Sequence, residues 1–104
     1  MVDSPVSYEM TLGLLVADTA TYAQHRAEIA PLLRAESAAF RFDFEIARTL
    51  KSEADHEINR LFLLRVPDRA AKERFFANPQ YLEIRSRLFE RAVRRMTILS
   101  EHEV

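Results

Sequence analysis

Residues 59–81, NRLFLLRVPDRAAKERFFANPQY, constrain the fold more than any other stretch of the chain. In an extended backbone, Arg60–Val66 puts Phe62, Leu64 and Val66 on one side and Leu61, Leu63 and Arg65 on the other. Two apolar faces predict a strand near the centre of a sheet. Pro67-Asp68 ends that strand and supplies a cap for a short helix. Asn78-Pro79 then breaks the helix and starts the next one, because the asparagine side chain can cap and proline fits the first helical position.

The remaining elements build around this core. Tyr8–Val16 alternates, with Tyr8, Met10, Leu12 and Leu14 on one face and Glu9, Thr11 and Gly13 on the other, as a half-buried strand does. Asp18 or Thr19 can cap a helix running to about Arg34. Its stripe is Tyr22, His25, Ile29 and Leu32, and Pro31 should kink or shorten its last turn. Phe40–Ile46 reads as a strand with Phe40, Phe42 and Phe44 facing the core and Arg41, Asp43 and Glu45 facing away. Residues 51–57 are loop-like. Tyr81, Ile84, Leu88 and Ala92 form the stripe of the last helix, and Met96–Glu101 a final short strand.

The order β-α-β-β-α-β predicts a ferredoxin-like α+β fold, spanning 1–104 as a single domain with a loose lead-in at 1–7. Four antiparallel strands would carry both helices on one face. The other face would hold Glu9 and Thr11, Arg41, Asp43 and Glu45, Leu61, Leu63 and Arg65, and Thr97, Leu99 and Glu101. Leu15, Leu61, Leu63 and Leu99 would leave an apolar patch there, which a homodimer would cover.

Composition excludes several classes of function. A single glycine, Gly13, rules out the phosphate-cradling loops that need several. The lack of cysteine removes disulfides, thiolate catalysis and cysteine-ligated zinc. Fifteen Lys+Arg against sixteen Asp+Glu give no global field for nucleic acid or an anionic membrane. No signal peptide or membrane span is expected, and a cytoplasmic location follows as the expectation.

The run Ile58–Val66, Asp68, and Phe75-Phe76-Ala77-Asn78-Pro79-Gln80-Tyr81 resembles the dimeric α+β barrel superfamily. Within it, the chain is most similar to the domain of unknown function 1330 family. Tyr22, His25-Arg26, Pro31, Leu32 and Phe40 match that family's pattern as well. Relatives commonly carry a glycine pair where this chain has Ala38-Ala39, which puts a left-handed turn there in doubt. The resemblance implies a homodimer with facing sheets. The superfamily holds cofactor-free monooxygenases, isomerase-like enzymes and haem-binding members, and the nearer family has no common activity to transfer. No cofactor is implied by any residue pattern here.

Five sets of residues could carry chemistry, each with a plainer alternative. His25 could act as a general base or orient a ligand, or simply pack beside Tyr22. Arg41, Asp43 and Arg65 could hold a carboxylate or enolate oxygen on the open sheet face, or form an ion-pair network between subunits. Arg85, Arg87, Arg91, Arg94 and Arg95 could bind phosphate. However, Glu83→Arg87 and Glu90→Arg94 spacing favours a solvated, self-paired face. His56 and His102 have acidic neighbours but no ligand spacing for a metal. Phe40, Phe42 and Phe44 read as core. Two functions follow: a small-organic-molecule binder or cofactor-independent enzyme of monooxygenase or isomerase type, using Arg41, Asp43, Arg65, Tyr22 and His25, or a non-catalytic dimeric regulatory or structural module. The first requires a pocket of roughly 300 Å³ or more with an unpaired polar group.

Overall fold

The computed structural model describes residues 7–104. Strand β1 (Tyr8–Val16) leads into helix α1 (Thr19–Ala35), followed by β2 (Ala39–Glu45) and β3 (Arg60–Val66). Helix α2 (Arg69–Ala77) and helix α3 come next. Helix α3 runs as a regular helix over Pro79–Ile84, passes through a π-helical turn at Arg85–Phe89 and closes with Glu90–Ala92. Strand β4 (Val93–Glu103) ends the chain. The sheet is antiparallel in the order β2-β3-β1-β4, the ferredoxin-like arrangement expected. Of the expected lead-in at 1–7, only Ser7 lies among the described residues, and its carbonyl accepts from the Val104 N–H.

The helix starts follow the sequence signals. Asp18 Oδ1 accepts from the Thr21 N–H, Asp68 Oδ1 from Ala71 and Asn78 Oδ1 from Gln80. Each bond satisfies an amide that the first helical turn leaves free, worth about 1 kcal/mol. Helix α1 continues past Pro31 to Ala35, so the proline does not shorten it. It ends in a Schellman turn: Ala38 N–H bonds Leu33 O and Ser37 N–H bonds Arg34 O. The left-handed position falls on Ser37 (φ 56°), one residue before the alanine pair.

One face of β1 and β3 packs under the helices. Tyr8, Met10, Leu12, Leu14, Phe62, Leu64 and Val66 are buried there against Tyr22, Ile29 and Leu33 of α1, Phe75 of α2, and Tyr81, Ile84 and Leu88 of α3. On the other face, the 46–59 loop folds back over Gly13. A Cβ at Gly13 would lie 2.7 Å from Ile58 Cδ1, so only glycine leaves room for that side chain. Thr49 fastens the loop, its hydroxyl donating to Ile58 O and accepting from Ile58 N–H.

Two bulges overturn part of the expected facing. Phe40 pairs with Leu64, but Phe42 pairs with Leu63 and Phe44 with Leu61, so Arg41 is an extra residue in β2. Beyond it every side chain changes sides. Phe42 and Phe44 lie on the open face, 49% and 50% exposed, and stack on each other. Asp43 moves to the helix-covered face. The physical reason is ionic: the inserted residue lets Arg41 reach Glu9 and Asp43 reach Arg26 and Arg60. A second bulge at Leu99 puts Glu101 opposite Met10 on the helix-covered side, where it accepts from the Tyr8 hydroxyl and Lys72 Nζ. Strand β4 is also longer than expected, because β1 offers it a pairing edge along its whole length.

Candidate functional site

A cavity of about 270 Å³ lies between the helices and the covered face of the sheet. Its walls are aromatic: Phe40 and Phe62 from the sheet, Phe75 and Phe76 from α2, Tyr81 and Phe89 from α3. Met10, Leu12, Met96 and Ile98 form the floor, and α1 contributes Tyr22, His25, Arg26 and Ile29. Sequence spacing explains the α1 set, since positions 22, 25, 29 and 33 recur on one side of a helix.

His25 is the chemically distinctive group. It is 3% exposed, stacks on Tyr22 at 5.7 Å and tilts against Phe89 at 5.2 Å. Its Nδ1 has no hydrogen-bond partner among the described residues. A buried, unsatisfied polar atom costs about 1–3 kcal/mol. Burial, reinforced by the Arg26 and Arg85 charges, holds its pKa down at about 4. At neutral pH the ring is therefore uncharged, with one nitrogen donating and the other accepting.

Arg26 closes the edge of the cavity. Its Nε donates to the Tyr22 hydroxyl, and its two terminal nitrogens grip Asp43 at 3.0 and 3.3 Å. The guanidinium lies 3.8 Å from the Phe40 ring centroid and 4.8 Å from that of Phe62, close cation–π contacts. Arg60 grips the same carboxylate from the strand side at 2.8 and 2.9 Å. Burial pushes the Asp43 pKa up, but the hydrogen bonds from Arg60 and Arg26 outweigh it and hold the carboxyl below its ordinary range. Burial raises the Tyr22 and Tyr81 phenols above theirs.

Arg41 and Arg65 lie on the opposite face of the sheet. Both converge on Glu9, which is 5% exposed: Arg41 Nη1 at 3.0 Å and Arg65 Nη2 at 2.8 Å. Burial works against ionising Glu9, and the two arginines prevail, leaving its pKa lowered. Of the residues singled out in the sequence, Tyr22 and His25 thus come together in the cavity. Asp43 stands behind its edge through Arg26, and Arg41 and Arg65 pair away from it. The cavity also draws on Arg26, Lys72, Tyr81 and Phe89, which sequence reasoning did not select, and on Arg85 and Phe40, which it read as solvated surface and as core. Arg85 read as one of a solvated strip, yet it stands four residues from both Tyr81 and Phe89 and so shares their side of the helix, while Arg87, two residues on, lies roughly opposite. Arg87 does pair outward, with Glu83 and with Glu28 of α1. Among the described residues no group of three His, Cys, Asp or Glu side chains could hold a metal ion. No helix among the described residues is long and apolar enough to cross a membrane.

No protein-family model and no curated protein matches the chain, so the likeness to the domain of unknown function 1330 family stands as a resemblance only. Solved structures do match. The methylated RPA0582 protein superposes with a TM-score of 0.78 at 15% identity, over 98% of this chain and 83% of that one. A dabb family protein with a ferredoxin-like fold from Mesorhizobium loti gives 0.61 at 13% identity, over 95% of each chain. A hydroxynitrile lyase from Passiflora edulis gives 0.63 at 15% identity, over 97% of this chain and 95% of that one. At these identities the likeness establishes the ferredoxin-like fold shared with dimeric α+β barrel proteins.

Proposed function

We propose that this chain is one subunit of a cytoplasmic homodimer that binds a small organic molecule in the cavity between its helices and sheet. The observation that carries the reading is His25. A histidine 3% exposed, with an unsatisfied Nδ1, lines an apolar space of about 270 Å³, a little under the roughly 300 Å³ expected of a binding pocket. A structure tolerates that loss more readily when a ligand repairs it. Neutral imidazole suits a binding role, because it offers both a donor and an acceptor.

Catalysis is the second reading, favoured by the lyase of the same fold. A cofactor-independent reaction of monooxygenase or isomerase type would begin with loss of a proton from the ligand. With a pKa of about 4, His25 alone is a weak base at neutral pH. Binding is therefore the stronger conclusion.

The open face supports the dimer. Phe42, Phe44 and Leu99 are exposed there beside half-buried Leu61 and Leu63, an apolar strip that a second copy of the same face would cover.

Native mass spectrometry of freshly purified protein tests both parts. A dimer carrying a discrete small-molecule adduct, lost in His25→Phe, is the expected result. A dimer that takes up nothing from a fragment library would leave only the structural module, and a monomer at micromolar concentration would remove the dimer.

A further inference from the structure

We infer that the cavity is built for a planar aromatic acid in its ionised form, with the anionic group held by Arg85 and the ring lying between the aromatic walls. This deepens the small-molecule reading and rests on it.

The first argument is the sign of the lining. Among the described residues three cations reach the cavity, Arg26, Lys72 and Arg85, and no carboxylate lines it. Two of the three are already engaged. Arg26 spends its donors on Asp43 and the Tyr22 hydroxyl, and Lys72 bonds Glu101 at 3.3 Å. Arg85 is different. Its nearest carboxylate, Glu90 Oε2, stands 3.9 Å away, beyond hydrogen-bonding distance. Arg85 shares a hydrogen bond with the Tyr81 phenol, a neutral partner that leaves other donors for a carboxylate, which a guanidinium can grip in bidentate fashion.

The second argument is where Arg85 sits. It opens the π-helical turn Arg85–Phe89, and the Glu90 N–H bonds back to its carbonyl. Single π turns that interrupt helices are frequent at functional sites. Here the turn lies against α1, with Arg85 facing the same cavity as Tyr81 and Phe89. The Arg85 guanidinium rests 5.0 Å from the Phe89 ring centroid, so the charge is braced by an aromatic face.

The third argument is the walls. Seven phenylalanine and tyrosine rings, from the sheet and from α1, α2 and α3, leave a space suited to stacking and edge contacts with a ligand of one or two rings. The orphaned His25 completes the site from α1. It is subject to Arg26 and Glu28 on its own helix and Arg85 on α3, with Tyr22, Tyr81 and Lys72 also at the cavity. An anion placed against Arg85 would offset one of the two arginine charges that add to burial in keeping the ring neutral. Ligand binding would then move the His25 midpoint upward, toward its ordinary value, with the burial part of the shift remaining.

The test compares 2-naphthoate with its neutral isostere 2-naphthamide on the intact protein, by calorimetry at pH 7, with NMR shifts locating each. The carboxylate should bind at least about tenfold more tightly, the difference expected for one charge-assisted contact. Arg85→Gln should erase that preference while keeping naphthamide binding, and Arg85→Lys should restore part of it. The His25 titration midpoint should rise when naphthoate is bound. Equal or tighter binding of the amide overturns the inference and leaves the cavity reading standing. So does a preference that survives Arg85→Gln, or naphthoate shifts that map to Arg41 and Arg65. Binding of neither compound overturns both. The wild-type comparison needs no variant, so a poorly folding Arg85→Gln would not spare the inference.

Discussion

The two faces of the sheet solve the same problem in opposite ways. Under the helices, the apolar side chains of β1 and β3 are buried by the chain itself, while Met96 and Ile98 of β4 stay partly exposed at the cavity, and the polar groups are arranged around that space. On the open face, apolar side chains stay exposed, and the one deeply buried carboxylate, Glu9, is saturated by two arginines. The covered face leaves an imidazole nitrogen unsatisfied and the open face leaves an apolar strip uncovered. Each is unfinished toward a different partner: a small molecule for the first, a second copy for the other.

The largest expected effect lies on the covered face. Phe75 is 2% exposed and packs edge-on to Phe76 and at 4.6 Å from Tyr81. Phe75→Ala should cost about 3–5 kcal/mol in urea unfolding and enlarge the cavity. A loss below about 1 kcal/mol would mean that this face is not the core.

Glu9→Ala comes next, at roughly 3 kcal/mol, because two arginines would be left facing each other without a counter-charge. Chemical unfolding of that variant beside Arg41→Ala separates the shared carboxylate from its half-exposed partners. The arginine variant should cost clearly less.

His25 should make stability depend on pH. Its folded pKa, about 4, lies below the ordinary 6.5, so the unfolded chain binds the proton first. The contribution is complete above pH 6.5 and is lost as pH falls toward 4, amounting to roughly 3 kcal/mol at the lower end. Comparing unfolding of wild type and His25→Gln across that window should show a steeper fall in the wild type, the shared remainder coming from carboxylates such as Glu9 whose pKa the fold lowers.

Gly13→Ala should cost about 1–3 kcal/mol by forcing Ile58 aside and loosening the 46–59 loop, with ligand uptake in the cavity unchanged. Faster amide exchange at Ile58, with wild-type protection at Tyr22, would show it.

Phe44→Ser should have the smallest effect on the subunit, within about 0.5 kcal/mol of wild-type folding stability. If it also leaves the dimer dissociation constant unchanged, the open face is not where the subunits meet.

Most of the fold was legible because it rests on local rules. Period-two alternation marked β1 and β3, and Asp18, Asp68 and Asn78 marked the helix starts through short-range hydrogen bonds. The candidate site was legible only in part. Tyr22 and His25 follow from helical spacing. Asp43 was misassigned to the open face because a bulge at Arg41 is stabilised by Glu9, Arg26 and Arg60, residues far away along the chain. Arg85 was separable from Arg87 by spacing, since it shares the side of Tyr81 and Phe89, but which of the two has close carboxylate partners depends on contacts with α1 and was not legible.

The sequence by itself determined the element order, the caps, the antiparallel sheet and the apolar character of the helix-facing side. These are set by alternation, by backbone amides needing nearby acceptors, and by the restrictions of proline and glycine. Tertiary structure alone decided which way the second half of β2 and the end of β4 face, which arginines pair, and that an imidazole stands unpartnered beside a cavity. Those outcomes depend on ion pairs and packing between distant segments, and a one-residue slip in a strand inverts everything beyond it.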